Sequence, residues 1–241
     1  MSDVQLLPLG PDGVLVRFAD TLSEPANRAC LAFRAELAAA ALAGVTETAT
    51  SLTSVFVRFR PDQVARSVVE DRLRGLLEGR DWAAAALPEG RTLWHVPAVF
   101  EGASSPDLEA VARQIGRDPD VAVKELCALP VRVLALGFAP GQPYLGFLPD
   151  HWDIPRRTEV TPQVPRGAVV VAVRQVIPFA NAAPTGWWQI GQTAFRCYDP
   201  AADPALPLRA GDEVRFEPVS SDRWARLREA PRGGAEAEAL A

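Results

Sequence analysis

At 241 residues, with 48% hydrophobic and 23% charged side chains, the chain is long enough for one large or two ordinary globular domains, and two are favoured. A formal net charge of −5, with basic residues gathered no further than short pairs, argues against a nucleic-acid or anionic-membrane surface and for a small-molecule or protein partner. The three cysteines, Cys30, Cys127 and Cys197, are odd in number and far apart among apolar neighbours, which excludes a disulfide framework and fits buried thiols of a cytoplasmic protein.

No basic segment precedes an apolar core at the N-terminus, and the run Leu37 to Val45 is too short to span a bilayer, so the chain reads as cytoplasmic and complete. Apolar runs at 4–9 and 14–18 flank Gly10-Pro11-Asp12-Gly13, the composition of a tight turn in a β-hairpin. Ser23 can cap a helix with Pro25 in its first turn; Leu31, Ala35, Ala38 and Leu42 recur on one face before Gly44. Val45–Thr50 and Thr53–Phe59 read as strands, the second alternating Val55, Val57 and Phe59 with Phe56 and Arg58. A helix from Asp62 puts Val69, Leu73, Leu76 and Leu77 on one side, with Gly79 beyond its end. These elements predict a small α+β domain over residues 1–87, two helices against an antiparallel sheet.

The alanine-rich stretch Trp82 to Arg91, with Pro88 and Gly90, predicts a linker. Thr92–Val99 then reads as a strand, and Ser105-Pro106 as the cap of a helix carrying Leu108, Val111, Ala112 and Ile115 up to Gly116. Asp118-Pro119 starts another helix reaching Ala128, with Val121, Ala122 and Leu126 as its apolar positions. From Val131 onward the pattern changes to short strands at 131–136, 168–173, 193–198 and 213–217. Half of the 22 prolines lie between Pro140 and Pro207, which disfavours helices and parallel α/β units. A mostly-β, closed or nearly closed barrel is therefore predicted for residues 92–220. Over 221–241 a short helix at Asp222–Ala230 and a frayed tail from Arg232 are expected.

The segment Gly137–Asp150, GFAPGQPYLGFLPD, holds three prolines and three glycines, so it is either a rigid ligand-binding loop or a wide connection between barrel strands. No P-loop, Gly-x-Ser-x-Gly or His-Glu-x-x-His sequence is present, and the two histidines, His95 and His151, are isolated and give no metal-ligand set. The polar candidates beside Pro/Gly-rich segments are Gln142, Tyr144, Arg156, Arg157, Gln175 and Thr193. Arg156-Arg157 is either a bidentate clamp for a carboxylate or phosphate or a solvated pair. Trp187 is either a pocket wall or a core residue.

GFAPGQPYLGFL, followed by PRR, VPRG, Gln175, PTGWWQIGQT and AGDEVRFEPV, resembles the family that contains the B component of ATP-dependent 5-oxoprolinase, KipI and allophanate hydrolase subunit 1. The order and spacing match over about residues 92–220, and PAVFEGASSPDLEAVA also fits a family segment. The resemblance implies a cyclophilin-like β-barrel behind the small α+β domain, and pairing with a second protein of the type of the 5-oxoprolinase C component or allophanate hydrolase subunit 2. It implies ATP, with Mg, as cosubstrate, and a small amide or lactam held in a cleft between subunits. Carried over position by position, it assigns catalytic work to Arg156, Tyr144 and Gln175. Substrate contacts fall to Gly137, Phe138, Pro140, Gly141, Gly186, Trp187 and Thr193, to which the reading of the Pro/Gly-rich segments themselves adds Gln142, Arg157 and Thr185. The chain departs from the family pattern at Leu126, where a histidine is common, at Val160-Thr161 in place of a second Pro-Arg, at Gln142 in place of an aromatic, and at Thr185. Besides a subunit of an ATP-dependent hydrolase, a KipI-like module inhibiting a histidine kinase and a stand-alone enzyme on a small amide or lactam fit the same sequence.

Overall fold

In the computed structural model, which describes residues 4–240, the turn Gly10–Gly13 joins β1 (Gln5–Leu9) to β2 (Gly13–Arg17) in register Leu9↔Gly13. Residues 1–3, on which the reading of the N-terminus rests, and Ala241 lie outside the described residues. The Ser23 hydroxyl accepts from the Ala26 amide at 3.3 Å and starts α1 (Glu24–Ala40), as its sequence position requires. β3 (Val45–Thr50), β4 (Ser54–Phe59) and α2 (Arg66–Leu77) follow. The strands form an antiparallel sheet in the order β1-β2-β4-β3. Val14, Val16, Val55, Val57 and Phe59 alternate into one core with Cys30, Phe33 and Leu37 of α1 and Val69 and Leu73 of α2.

Three expectations for this part are corrected. The buried face of α1 runs through Ala26, Cys30, Phe33 and Leu37, while Ala35 and Ala38 are exposed, because the large side chains set the phase and alanine buries too little area to compete. α2 begins four residues later than Asp62, since the chain first makes a turn in which Gln63 and Val64 both donate to the Arg60 carbonyl. Trp82, read as linker, is 5% exposed: it packs edge-on against Phe33 at 5.2 Å and its indole N–H donates to the Leu77 carbonyl. The chain divides into two compact units between Glu89 and Gly90.

The second unit opens with β5 (Thr92–Val99), then α3 (Leu108–Gln114), α4 (Pro119–Ala128), β6 (Val131–Leu136) and β7 (Pro143–Gly146). β8 (Thr161–Val164), β9 (Ala168–Ala172), β10 (Gln175–Pro178), β11 (Ala183–Thr185), β12 (Trp188–Thr193) and β13 (Glu213–Pro218) follow, then α5 (Ser221–Leu227) and β14 (Glu236–Ala239). Seven strands close into a barrel in the order β12-β9-β10-β7-β6-β13-β5, sealed where Gln192 and Thr193 of β12 pair with Val99 and Ala98. Closure removes the free edges that so many short strands would expose. β8 and β11 form a separate two-stranded sheet.

β9 shows how the wall is divided. Val169 and Val171 join a large core with the helices, while Ala168, Val170 and Ala172 join a second cluster with Ile177, Phe179 and Trp187. The strand expected at 193–198 instead ends at Thr193, whose hydroxyl donates to the Pro97 carbonyl and accepts from the Phe195 amide, turning the chain out of the ladder. The tail is not frayed as expected: β14 pairs with the first half of β5, Glu236 opposite His95 and Ala239 opposite Thr92. Cys30 and Cys197 are buried and Cys127 half-buried, all three free, and burial pushes each thiol up to about 12. Among the described residues no helix is long and apolar enough to cross a membrane.

Candidate functional site

The barrel register sorts the candidate residues. Trp188 pairs with Val171, Val171 with Val176, Val176 with Leu145 and Leu145 with Val133, which makes one row across the wall. Gln175 and Ala172 lie beyond that row toward one end; Gln192 with Ala168, and Pro143 with Leu136, lie toward the other.

The Gln175 end is built around the β9–β10 turn. Val173 and Arg174 both have positive φ, 45° and 61°, so the hairpin is tight, and their amides donate to the Ile154 and Trp152 carbonyls. Arg174 also holds the Leu148 carbonyl and pairs with Asp150 at 2.8 Å, which fixes the segment leading into Arg156-Arg157. The Arg157 amide then donates to the Gly186 carbonyl at 2.7 Å, and the Trp188 indole donates to the Pro155 carbonyl. The arginines are thereby stacked on successive tryptophans, Arg156 at 5.3 Å over Trp187 and Arg157 at 5.1 Å over Trp188.

Their roles differ. Arg157 is bound to the Asp107 carboxylate at 2.7 Å, whose other oxygen accepts from the Gln189 amide at 2.8 Å. Arg156 is exposed and, among the described residues, makes no hydrogen bond or ion pair. The arrangement thus offers one free guanidinium, aligned by an indole, beside one that is neutralised in place. The buried Thr185 hydroxyl accepts from the Trp187 amide at 3.1 Å and shapes the Gly186 turn. Gln175 is 4% exposed and its Nε2 has no partner, an orphaned donor at this end of the wall.

Tyr144 lies between the two ends, half-buried against the cluster that contains Trp187. The remaining candidates are at the far end. Gly137 and Gln142 close a turn, the Gly137 amide donating to the Gln142 carbonyl at 3.0 Å and the Gln142 amide to Ala139 at 3.1 Å. Gln142 is 2% exposed with an unpartnered Oε1. Gly141 has φ 72°, and a Cβ there would stand 2.2 Å from the Cys197 carbonyl oxygen, so glycine is required by close packing. Pro140 is exposed, as is Phe138, 75% exposed with φ 69°. Thr193 is buried and its hydroxyl is fully used in ending β12. The structure therefore brings Arg156, Arg157, Gln175, Thr185, Gly186 and Trp187 to one end, and places Gly137, Phe138, Pro140, Gly141, Gln142 and Thr193 at the other.

Asp107, Trp188 and Gln189 were missed by sequence reasoning. Taking Ser105 as the helix cap hid Asp107, which is the residue that starts α3; the acidic residue next to a cap was the available signal. Leu126, one of the departures from the family pattern noted in the sequence, is 1% exposed in the core, but its neighbour Glu125 accepts from Trp152 Nε1 at 2.6 Å and bonds His151. Burial opposes ionisation of Glu125, yet these hydrogen bonds prevail and hold its carboxyl below the ordinary range. His151 is thus tied to the scaffold.

The family model for the carboxyltransferase domain, subdomains C and D, matches residues 4–208. A protein from Escherichia coli O157:H7, named as the B component of 5-oxoprolinase, is 37% identical over 175 residues, 72% of this chain and 78% of its own length. One of the same name from Bacillus subtilis (strain 168) is 28% identical over 230 residues, 90% of this chain and 93% of its own. Among solved structures, TTHA0988 superposes with a TM-score of 0.72 at 29% identity, covering 87% of this chain and 40% of that one, so this chain corresponds to less than half of it. The Kluyveromyces lactis urea carboxylase structure shares the fold, with a TM-score of 0.71 at 16% identity over 98% of this chain and 24% of that one.

Proposed function

Because the chain belongs to the family of the carboxyltransferase domain, subdomains C and D, we propose that it is one subunit of a cytoplasmic, ATP-dependent amide or lactam hydrolase of the 5-oxoprolinase kind. In this reading its barrel is of the cyclophilin-like type and works beside a second barrel subunit, which completes the site. The names of the relatives support the reaction class. The observation that carries the site is the free Arg156 guanidinium held over Trp187 beside the neutralised Arg157.

In such a reaction ATP phosphorylates the lactam carbonyl oxygen with release of ADP, water adds to the activated carbon, the C–N bond opens, and the acyl phosphate so formed is hydrolysed to carboxylate and phosphate. A guanidinium held by an aromatic face needs little reordering to meet a carboxylate or phosphoryl oxygen, and it donates in a planar fork. Among the described residues no group of three or more His, Cys, Asp or Glu side chains gathers to hold a cation. The free Arg156 guanidinium fits the anionic part of a substrate. Arg156 binds and orients that anion, Arg157 and Asp107 fix the wall behind it, and Gln175 and Tyr144 lie along the same wall. Of the far-end residues, Gly141, Gln142 and Thr193 serve the scaffold, while Phe138 and Pro140 face solvent.

The test is 5-oxoproline-dependent ADP release by the purified chain together with its second subunit. One charge-assisted hydrogen bond is worth about 1.5–3 kcal/mol, so Arg156→Ala should lower kcat/KM by roughly 10- to 100-fold. Wild-type activity with an unaffected Arg156→Ala variant would remove Arg156 from the site; no substrate-dependent turnover by the wild-type pair would overturn the reaction itself.

A further inference from the structure

We propose that a cavity at the Thr193 end of β12 binds a small organic anion, gripping its phosphate or carboxylate group between Arg166 and Arg228 beside the Trp224 ring. The cavity encloses about 470 Å³ and is distinct from the Arg156 site. Five residue steps along β12 separate Trp188 from Thr193, roughly 16 Å of extended strand.

The charge is out of keeping with the rest of the molecule. Arg166, Arg196 and Arg228 line the cavity against one carboxylate, Glu229, in a protein whose net charge is −5. Arg196 is already taken by Asp199 at 3.0 Å. The guanidiniums of Arg166 and Arg228 make no hydrogen bond or ion pair among the described residues; Arg228 only lies over the Trp224 ring, 5.4 Å from its centre. Arg166 is near enough to Asp199 to help lower that carboxyl's pKa, but Asp199 is already bound to Arg196, so three arginines face two carboxylates and the cavity keeps an excess of positive charge. An oxyanion answers this excess, since it accepts several N–H bonds at once and offsets the repulsion among the arginines.

The cavity is also held in shape. Gln192 donates to the Arg166 carbonyl at 3.2 Å, and the Thr193 amide to the Gly167 carbonyl at 2.8 Å, tying the loop that carries Arg166 to the strand. A Cβ on Gly167 would lie 2.0 Å from the Thr193 oxygen, so only glycine permits this approach. The volume exceeds what an oxyanion needs and leaves room for an organic body against the indole. The ligand class is therefore a small phosphorylated or carboxylated metabolite.

The test uses the full chain without any partner, so it stands or falls apart from the hydrolase reading. Inorganic phosphate and acetate are titrated separately at constant ionic strength, with binding followed by calorimetry. Saturable binding of at least one, weakened tenfold or more in Arg166→Ala/Arg228→Ala and unchanged in the charge control Arg72→Ala, is the expected result. Phosphate alone assigns a phosphoryl ligand, acetate alone a carboxylate. Because Arg166 and Arg228 are exposed, the double variant should keep the wild-type melting temperature; should it not, Arg166→Gln replaces it as the reporter. The proposal is overturned if neither anion saturates the wild type, or if the arginine variants bind as tightly.

Discussion

Asp212 holds together the start of the barrel. It is 3% exposed, one carboxylate oxygen accepts from the Thr92 amide at 2.9 Å and the other from the Arg209 amide at 2.8 Å, and its carbonyl accepts from Val133 at 2.7 Å. Thr92 begins β5, Val133 lies in β6 and Asp212 immediately precedes β13, so one side chain and its backbone join three strands. Asp212→Ala would leave two donors inside the protein without partners, a loss of about 2–4 kcal/mol that urea unfolding should read directly. Asp212→Asn keeps one acceptor oxygen and should lose about half as much. Equal stability of all three proteins would show that water replaces the carboxylate at no cost. In the sequence this aspartate is one letter of the AGDEVRFEPV segment, and only its turn contact with Arg209 is local; its partner Thr92 comes from more than a hundred residues away, so its hold on β5 is not legible. The same holds for Gly141 and Gly167: their being loop glycines is legible, whereas the carbonyls of Cys197 and Thr193 that exclude a side chain are not.

Elements with a strong local pattern were legible. The first hairpin, β4, β5, α4 and β6 fall within a residue or two of their sequence positions, since turn chemistry and side-chain period act within a few residues. The strands β7, β8, β10 and β11 were not, being at most four residues long, with a proline in every one. The stacked pairs of the candidate site were half legible: the arginines and tryptophans were noticed, but which arginine is neutralised depends on Asp107, about fifty positions away. β14 is the extreme case, a Glu-Ala-Glu-Ala strand without one large apolar residue. Its hold on β5 is partly ionic: His95 Nδ1 meets Glu217 at 2.9 Å and Nε2 meets Glu238 at 3.0 Å. The hydrogen bond with Glu238 raises the imidazole pKa, burial opposes it, and Glu217 adds to the rise. A raised folded-state pKa means that this stabilisation is complete below about pH 6.5, the unfolded value, and is lost as pH climbs through the folded one. Exposure of both carboxylates keeps it below about 1 kcal/mol. Hydrogen-exchange protection of the Glu236–Ala239 amides, corrected for intrinsic rate, should therefore fall across that range, and His95→Gln should flatten the profile. A profile unchanged by the substitution would mean that the backbone ladder alone holds β14.

The chain carries two cores whose members do not mix. Val14, Phe33, Val57, Leu73 and Trp82 belong to the first unit, whereas Val96, Val133, Val171, Trp152 and Phe216 belong to the second, as does the smaller cluster around Trp187. A unit of about 150 residues with its own core is within the size that folds independently. The second unit also contains every strand of its barrel, the β12–β5 seam, and the Arg91 to Glu213 ion pair at the mouth of β5. Residues 90–241 expressed alone should therefore keep a cooperative thermal transition and a near-ultraviolet dichroism arising from packed tryptophans. Cutting instead after Val96 removes the half of β5 that pairs with β14 and most of its parallel ladder with β13, and takes away Thr92, one of the two amides Asp212 binds. That shorter piece should lose the transition and bind hydrophobic dye, because an opened barrel exposes the apolar face that β5 covers. If the 90–241 piece behaved like the shorter one, the second core would need the first unit to form, and the two would have to be treated as one cooperative body.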